Sequence, residues 1–117
     1  MDSKNNNYKR SVGKKIRIIR ELAGLSQDEF GASLSWSGSA ISHIEAGRRG
    51  MDARRMSLVE KIYNFPKVAL VSEIEMDAED IAAIQNIMIL IKQKVAGAPN
   101  QHLPSIFSLL QAANSQG

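Results

Sequence analysis

Ser39, Ser42 and His43 are the side chains of this sequence best placed to do chemistry. They lie in the segment 25–47, LSQDEFGASLSWSGSAISHIEAG. Plotted at about 100° per residue, Gly38, Ser39, Ser42, His43 and Ala46 fall on one side of a helix. Ala40, Ile41 and Ile44 fall together on the other. A serine hydroxyl donates or accepts a hydrogen bond. An imidazole can donate to guanine O6 or N7, or to a phosphate. Arg48 and Arg49 follow at once, and guanidinium groups suit phosphate. Two short helices joined by a tight turn, the second with small polar groups outward, can set one helix in the major groove of DNA.

That face needs elements to carry it, and the sequence marks them. Val12, Ile16, Ile19, Leu22 and Ala23 recur at helical spacing, with Ser11 as the expected cap and Gly24 as the stop. Ser26 and Glu29 form a capping box, flanked by the Leu25/Phe30 staple. Gly31 lies mid-helix, where it costs roughly 1 kcal/mol against Ala. Close approach of another helix's backbone is the expected reason. Ser35-Trp36-Ser37 makes the turn, Ser37 caps the next helix, and Trp36 and Ile41 stand at its staple positions. Asp52, with Met51 and Met56 around it, opens a fourth helix that Pro66 ends. Residues 67–74 fit either a short fifth helix or an extended linker. Asp77 starts a long helix to Ala96, with Met76 and Ile81 as staple and Glu79 and Asp80 at the positive end. Ser105 to Ala113 fits a last short helix.

Composition narrows the class. The 117 residues are 44% hydrophobic but only six are aromatic, so Ile, Leu, Val, Met and Ala must fill the core. There is no cysteine, and neither His43 nor His102 has metal-ligand spacing. No metal or cofactor is expected. No triad spacing or phosphate-cradling glycine loop appears, so an enzyme is the least favoured class. The polar N-terminus lacks a secretory segment, and the aliphatic run Ile87–Ile91 is too short for a bilayer. A cytoplasmic location is expected. Charge is asymmetric. Residues 1–20 hold Lys4, Lys9, Arg10, Lys14, Lys15, Arg17 and Arg20 against Asp2 alone. The first 67 residues carry a net +6 and the remainder −3. That suits a nucleic-acid-binding half joined to a different half, and equally a solvated basic face.

Residues 12–65 resemble the Cro/lambda-repressor-type, or XRE, family of helix-turn-helix regulators. The carrying stretches are VGKKIRIIRELAGLSQDEF and LSWSGSAISHIEAGRR, with Arg20, Leu25-Ser26-Gln27, Ile41-Ser42, Ile44-Glu45 and Gly47 at matching spacing. Four positions depart from the family pattern. Gly31 replaces Ala, Ser35 stands where Gly usually starts the turn, Trp36 replaces a small apolar residue, and Gly38 replaces a long polar base reader. The resemblance implies that Gln27 bonds a phosphate and braces the recognition helix. It sets Ser39, Ser42 and His43 toward the major groove, with Ser37 and Gly38 at the helix start beside them. Arg48 and Arg49, and with less favourable placement Lys14, Lys15 and Arg17, are phosphate candidates. Arg20 and Glu45 are positioned to pair inside the domain. Lys4, Lys9 and Arg10 either reach the duplex or stay in solvent.

The expected fold is all-α: a five-helix lambda-repressor-like domain followed by a C-terminal helical hairpin. Its parts are a flexible basic arm (1–11), the DNA-binding domain (12–74) and a dimerisation or partner-binding region (75–117). Ile84, Ile87, Met88, Ile91, Phe107 and Leu110 are the expected dimer contacts, with packing back on the same chain as the alternative. The expected function is a homodimeric, sequence-specific double-stranded DNA-binding repressor, with a regulatory protein or peptide able to act on the C-terminal helices. Two alternatives stay open: an autoregulating antitoxin, and a protein-interaction module with a vestigial helix-turn-helix.

Overall fold

The computed structural model describes residues 3–97. Six helices succeed one another there, with no strand among the described residues: α1 Ser3–Leu22, α2 Gln27–Ser33, α3 Gly38–Glu45, α4 Ala53–Tyr63, α5 Lys67–Val71 and α6 Ala78–Ala96. The expected helix at 105–113, with Phe107 and Leu110, lies outside the described residues. So does the second arm of the expected hairpin.

The caps fall where the side chains direct them. Ser26 accepts from the Glu29 amide at 3.0 Å while Glu29 accepts from the Ser26 amide at 2.8 Å. Ser37 caps α3 through the Ala40 amide, and Asp52 caps α4 through the Arg55 amide. Asp77 and Asp80 form a second capping box on α6. Each such cap contributes about 1 kcal/mol. The apolar residues next to the caps close the core: Phe30, Ile41, Met51, Met56 and Ile81 are all buried. They join Val12, Ile16, Ile19, Leu34, Ile44, Val59, Phe65 and Leu70 in one cluster.

Gly31 is a close-approach position, but its neighbour is not the expected helix. A Cβ there would lie 2.7 Å from the Trp36 carbonyl oxygen and 2.9 Å from that of Ser37. The approaching backbone is the turn itself, not a distant helix. Ser35, in the usual glycine position of that turn, has φ +58°. This left-handed conformation costs a serine about 1–2 kcal/mol. Arg55 holds the turn in place, donating from Nε to the Leu34 carbonyl (3.0 Å) and from Nη2 to that of Ser35 (3.2 Å).

Three sequence expectations are corrected and one left open is decided. The N-terminal arm is not separate from the first helix, because α1 already begins at Ser3. Extending a helix that exists costs only about 0.7 kcal/mol per asparagine, and Tyr8 gains by packing on the core. Ser11 therefore caps nothing and lies mid-helix, donating to the Ser72 carbonyl at 3.3 Å. The ambiguous segment 67–74 is the short helix α5, which buries Leu70, followed by an extended stretch. Lys15 is not a surface cation. It is 2% exposed. Its Nζ donates to Ser11 Oγ and the Ala69 carbonyl, both at 3.2 Å, and to the carbonyl and hydroxyl of Ser72. It thus ties α1 to the end of α5.

Burial holds the Lys15 pKa below the ordinary lysine value, with the Glu73 charge opposing. Below its folded-state pKa the ammonium is charged in both folded and unfolded chains, and the folded chain bears the desolvation cost. As pH rises through that value toward the ordinary one, the folded chain releases its proton first, so stability rises. Urea denaturation across the alkaline range should show this gain in the wild type and not in Lys15→Met. Parallel pH profiles for the two proteins would contradict it.

Candidate nucleic-acid interface

The recognition-helix candidate α3 has eight residues, too few to hold a helical shape by propensity alone. Its inner side supplies the anchor. Ala40 is 5% exposed, and Ile41 and Ile44 are fully buried. Glu45 supplies the orientation. Arg20 on α1 grips it with two hydrogen bonds, Nε to Oε2 at 2.6 Å and Nη2 to Oε1 at 3.1 Å. Arg20 Nη1 also donates to the Leu25 carbonyl at 2.9 Å, and Gln27 Nε2 donates to Glu45 Oε1 at 3.1 Å. One carboxylate therefore joins α1, α2 and α3. The Glu45 hydrogen bond raises the Arg20 pKa further, against burial. The charge on this guanidinium is permanent.

The outer side of α3 is open. Ser37, Ser39 and His43 are exposed and Ser42 is half-buried. Arg48 Nε donates to His43 Nδ1 at 3.3 Å. An imidazole that accepts at Nδ1 has Nε2 as its donor. Arg48 and Arg49 are exposed in the loop that follows α3. The other end differs. Gly38 is buried, and a Cβ there would overlap the Asp28 carboxylate, lying 3.0 Å from the Asp28 backbone nitrogen. Gly38 is thus a close-packing residue and carries no reading group. A carboxylate from α2 fills the space beside it, where it complements the positive end of α3.

The phosphate candidates divide in the same way. Gln27 gives one amide hydrogen to Glu45, so it braces α3 as the resemblance implies. Its neighbours Asp28 and Glu29 place negative charge at that helix start, which disfavours phosphate there. Lys15 is buried, Lys14 faces Glu75 at 3.6 Å, and Arg17 pairs with Glu21 at 3.2 Å. These three α1 cations face partners in their own chain. Arg10 is exposed and lies against Gly47 at the end of α3.

Two residues gain roles that the sequence alone does not reveal. Arg55 pins the turn and also pairs with Asp52, Nη1 to Oδ2 at 2.7 Å. Its backbone and side-chain donors hold the Asp52 carboxyl below the usual carboxylate range. Trp36 packs on the core, as its staple position suggests, and also lies under two guanidinium groups. An i,i+3 Asp-Arg pair at a helix start was the available signal for Arg55. Its reach back to residues 34 and 35 has no sequence signature.

The family model described as a helix-turn-helix domain matches residues 11–69. The chain belongs to the helix-turn-helix domain family. Relatives include an uncharacterized HTH-type transcriptional regulator of Sinorhizobium medicae and another of Rhizobium meliloti. Each is 34% identical over 55 residues, covering 47% of this chain and 40% of the relative. The matched region thus spans well under half of those proteins' length. No solved structure matches. The helix-turn-helix of this chain is α2, the Ser35–Ser37 turn and α3.

Removing Glu45 tests whether its carboxylate organises this motif. Glu45→Ala strands the Arg20 charge, whose side chain is only 14% exposed, and should cost about 3 kcal/mol in urea denaturation. Exchanging both partners for methionine should cost less than the sum of the two single changes. Additive losses would show that the pair is not coupled.

Proposed function

We propose that this chain is a sequence-specific double-stranded DNA-binding transcriptional regulator of the Cro/lambda-repressor type, acting as a homodimeric repressor. The observation that carries the reading is the outer face of α3. Ser39 and His43 are exposed, no carboxylate is paired to them among the described residues, and Arg48 and Arg49 stand at the end of the same helix. Membership of the helix-turn-helix family supports the same reading.

In this reading His43 Nε2 is the main donor to a base edge, and Ser39 and Ser42 supply weaker contacts that accept either partner. Gly38 adds none. Most of the affinity then comes from phosphates, and sequence preference comes partly from duplex shape. Arg48 and Arg49 are the phosphate ligands, and Ser37 touches the backbone only through its exposed position as cap.

A single module makes a small interface, and two copies on half-sites one helical turn apart remedy that. The α6 helix supports dimerisation in part. Its Ile81 is buried and Ile84 packs on the chain's own core, while Gln85 Nε2 donates to the Tyr63 carbonyl at 2.9 Å. The helix therefore uses one side internally, which removes Ile84 from the proposed dimer contacts. Met88 and Ile91 are half-buried. Ile87 and Leu90 are exposed by 49% and 48%, and with Met88 and Ile91 they are the described part of the proposed dimer surface. No helix among the described residues is long and apolar enough to cross a membrane.

The reading is tested by binding to duplex DNA over a salt series. Four phosphates, held by Arg48 and Arg49 of two copies, give a slope of log K against log salt near about −4. Affinity that stays flat across the series would defeat the proposal. In sedimentation, Ile87→Glu with Leu90→Glu should convert a dimer to a monomer, and the same pair should roughly halve the salt slope. A double variant that remains dimeric would place the dimer contact elsewhere.

A further inference from the structure

The Trp36 indole, in the turn just before α3, has the Arg55 guanidinium 4.1 Å from its ring centroid and that of Arg49 at 4.6 Å. Both lie well inside the range in which a cation is drawn to an aromatic face, and tryptophan is the strongest such face. The two arginines are not equivalent. Arg55 is fully engaged, with Nε, Nη1 and Nη2 given to Leu34, Asp52 and Ser35. It belongs to the scaffold of the turn. Arg49 makes no hydrogen bond and no ion pair among the described residues, and it is exposed. Among the described residues its polar group is met by the ring alone.

A guanidinium lying against a ring keeps its in-plane N–H donors for an anion, because the ring attracts the cation without accepting those hydrogen bonds. A long side chain already held in place loses less freedom when it binds than one sampling many rotamers. We propose that Trp36 is a positioning residue for DNA-backbone binding: it preorganises Arg49, which reaches it from the loop after α3, as a phosphate clamp beside the turn that precedes α3. The inference rests on the DNA-binding reading above and adds to it a role for a residue that touches no nucleotide. The fixed Arg55 on the same ring keeps the indole from turning away.

The test is a double-mutant cycle read by fluorescence anisotropy on a labelled duplex of random sequence, from low to near-physiological salt. Arg49→Ala should weaken binding and lower the steepness of the salt dependence by about 1 per protomer. Trp36→Leu, which keeps apolar bulk but removes the ring, should weaken binding by about two- to five-fold. In the Arg49→Ala background Trp36→Leu should change nothing further. Because Trp36 also packs on the core, the cycle is repeated with Trp36→Phe, with folding of every variant checked by circular dichroism. Phenylalanine keeps a weaker face and should give an intermediate loss. Equal effects of Trp36→Leu with and without Arg49, or wild-type affinity in Trp36→Leu, would overturn the proposal while leaving DNA binding intact. A wild-type protein that does not bind the duplex would overturn both.

Discussion

The carboxylate of Glu45 is the point on which the interface depends. It accepts from Arg20 on the first helix and from Gln27 on the second, and it ends the third helix, whose outer side is the candidate reading face. Apolar contacts through Ile41 and Ile44 hold α3 against the core, but packing of smooth aliphatic groups tolerates rotation better than it tolerates separation. Charged hydrogen bonds are directional. The fork of Arg20 on Glu45, braced by Gln27, converts a helix that merely adheres into one with a defined heading. Burial of this pair sharpens it, since the carboxylate side chain is only 6% exposed and has no comparable alternative in water.

The distribution of cations carries a second lesson. The N-terminal excess of positive charge looks like a footprint for nucleic acid, yet much of it serves the fold. Lys15 sits inside the bundle on carbonyl oxygens, Arg20 serves Glu45, and Arg55 fastens the turn. Lys14 and Arg17 face carboxylates of their own chain. What remains outward around α3 is a small group, Arg10, Arg48 and Arg49. Net charge therefore overstates the cationic surface that a polyanion would meet at this face.

Local signals were legible in the sequence and distant ones were not. The caps at Ser26, Ser37, Asp52 and Asp77 are short-range chemistry, and each stands in the structure where its spacing puts it. The same holds for the inward set Ala40, Ile41 and Ile44, and for the Arg20–Glu45 pair once the helices were placed. Ser39, Ser42 and His43 were found on the outer side for that reason. The packing of Gly38 is not legible locally, because a wheel shows direction but not the neighbour across the turn, and Asp28 lies ten residues away. The burial of Lys15 is not legible either, because a lysine on a helix is solvated unless another segment supplies carbonyls, and that segment is more than fifty residues distant. The start of α1 was missed because the asparagine run has weak propensity, while the packing of Tyr8 is a tertiary effect.

The attachment of α6 has a consequence for assembly. Lys92 Nζ reaches Asn64 Oδ1 at 2.7 Å, Gln85 meets the Tyr63 carbonyl, and Ile81 is sunk in the core. The helix is welded to the body that carries α3 and does not hang from it on a tether. Any protein seated on the outer side of α6 inherits a set bearing relative to the reading face. Two chains joined there would behave as a caliper with a fixed jaw, accepting one separation along a duplex and rejecting its neighbours by strain.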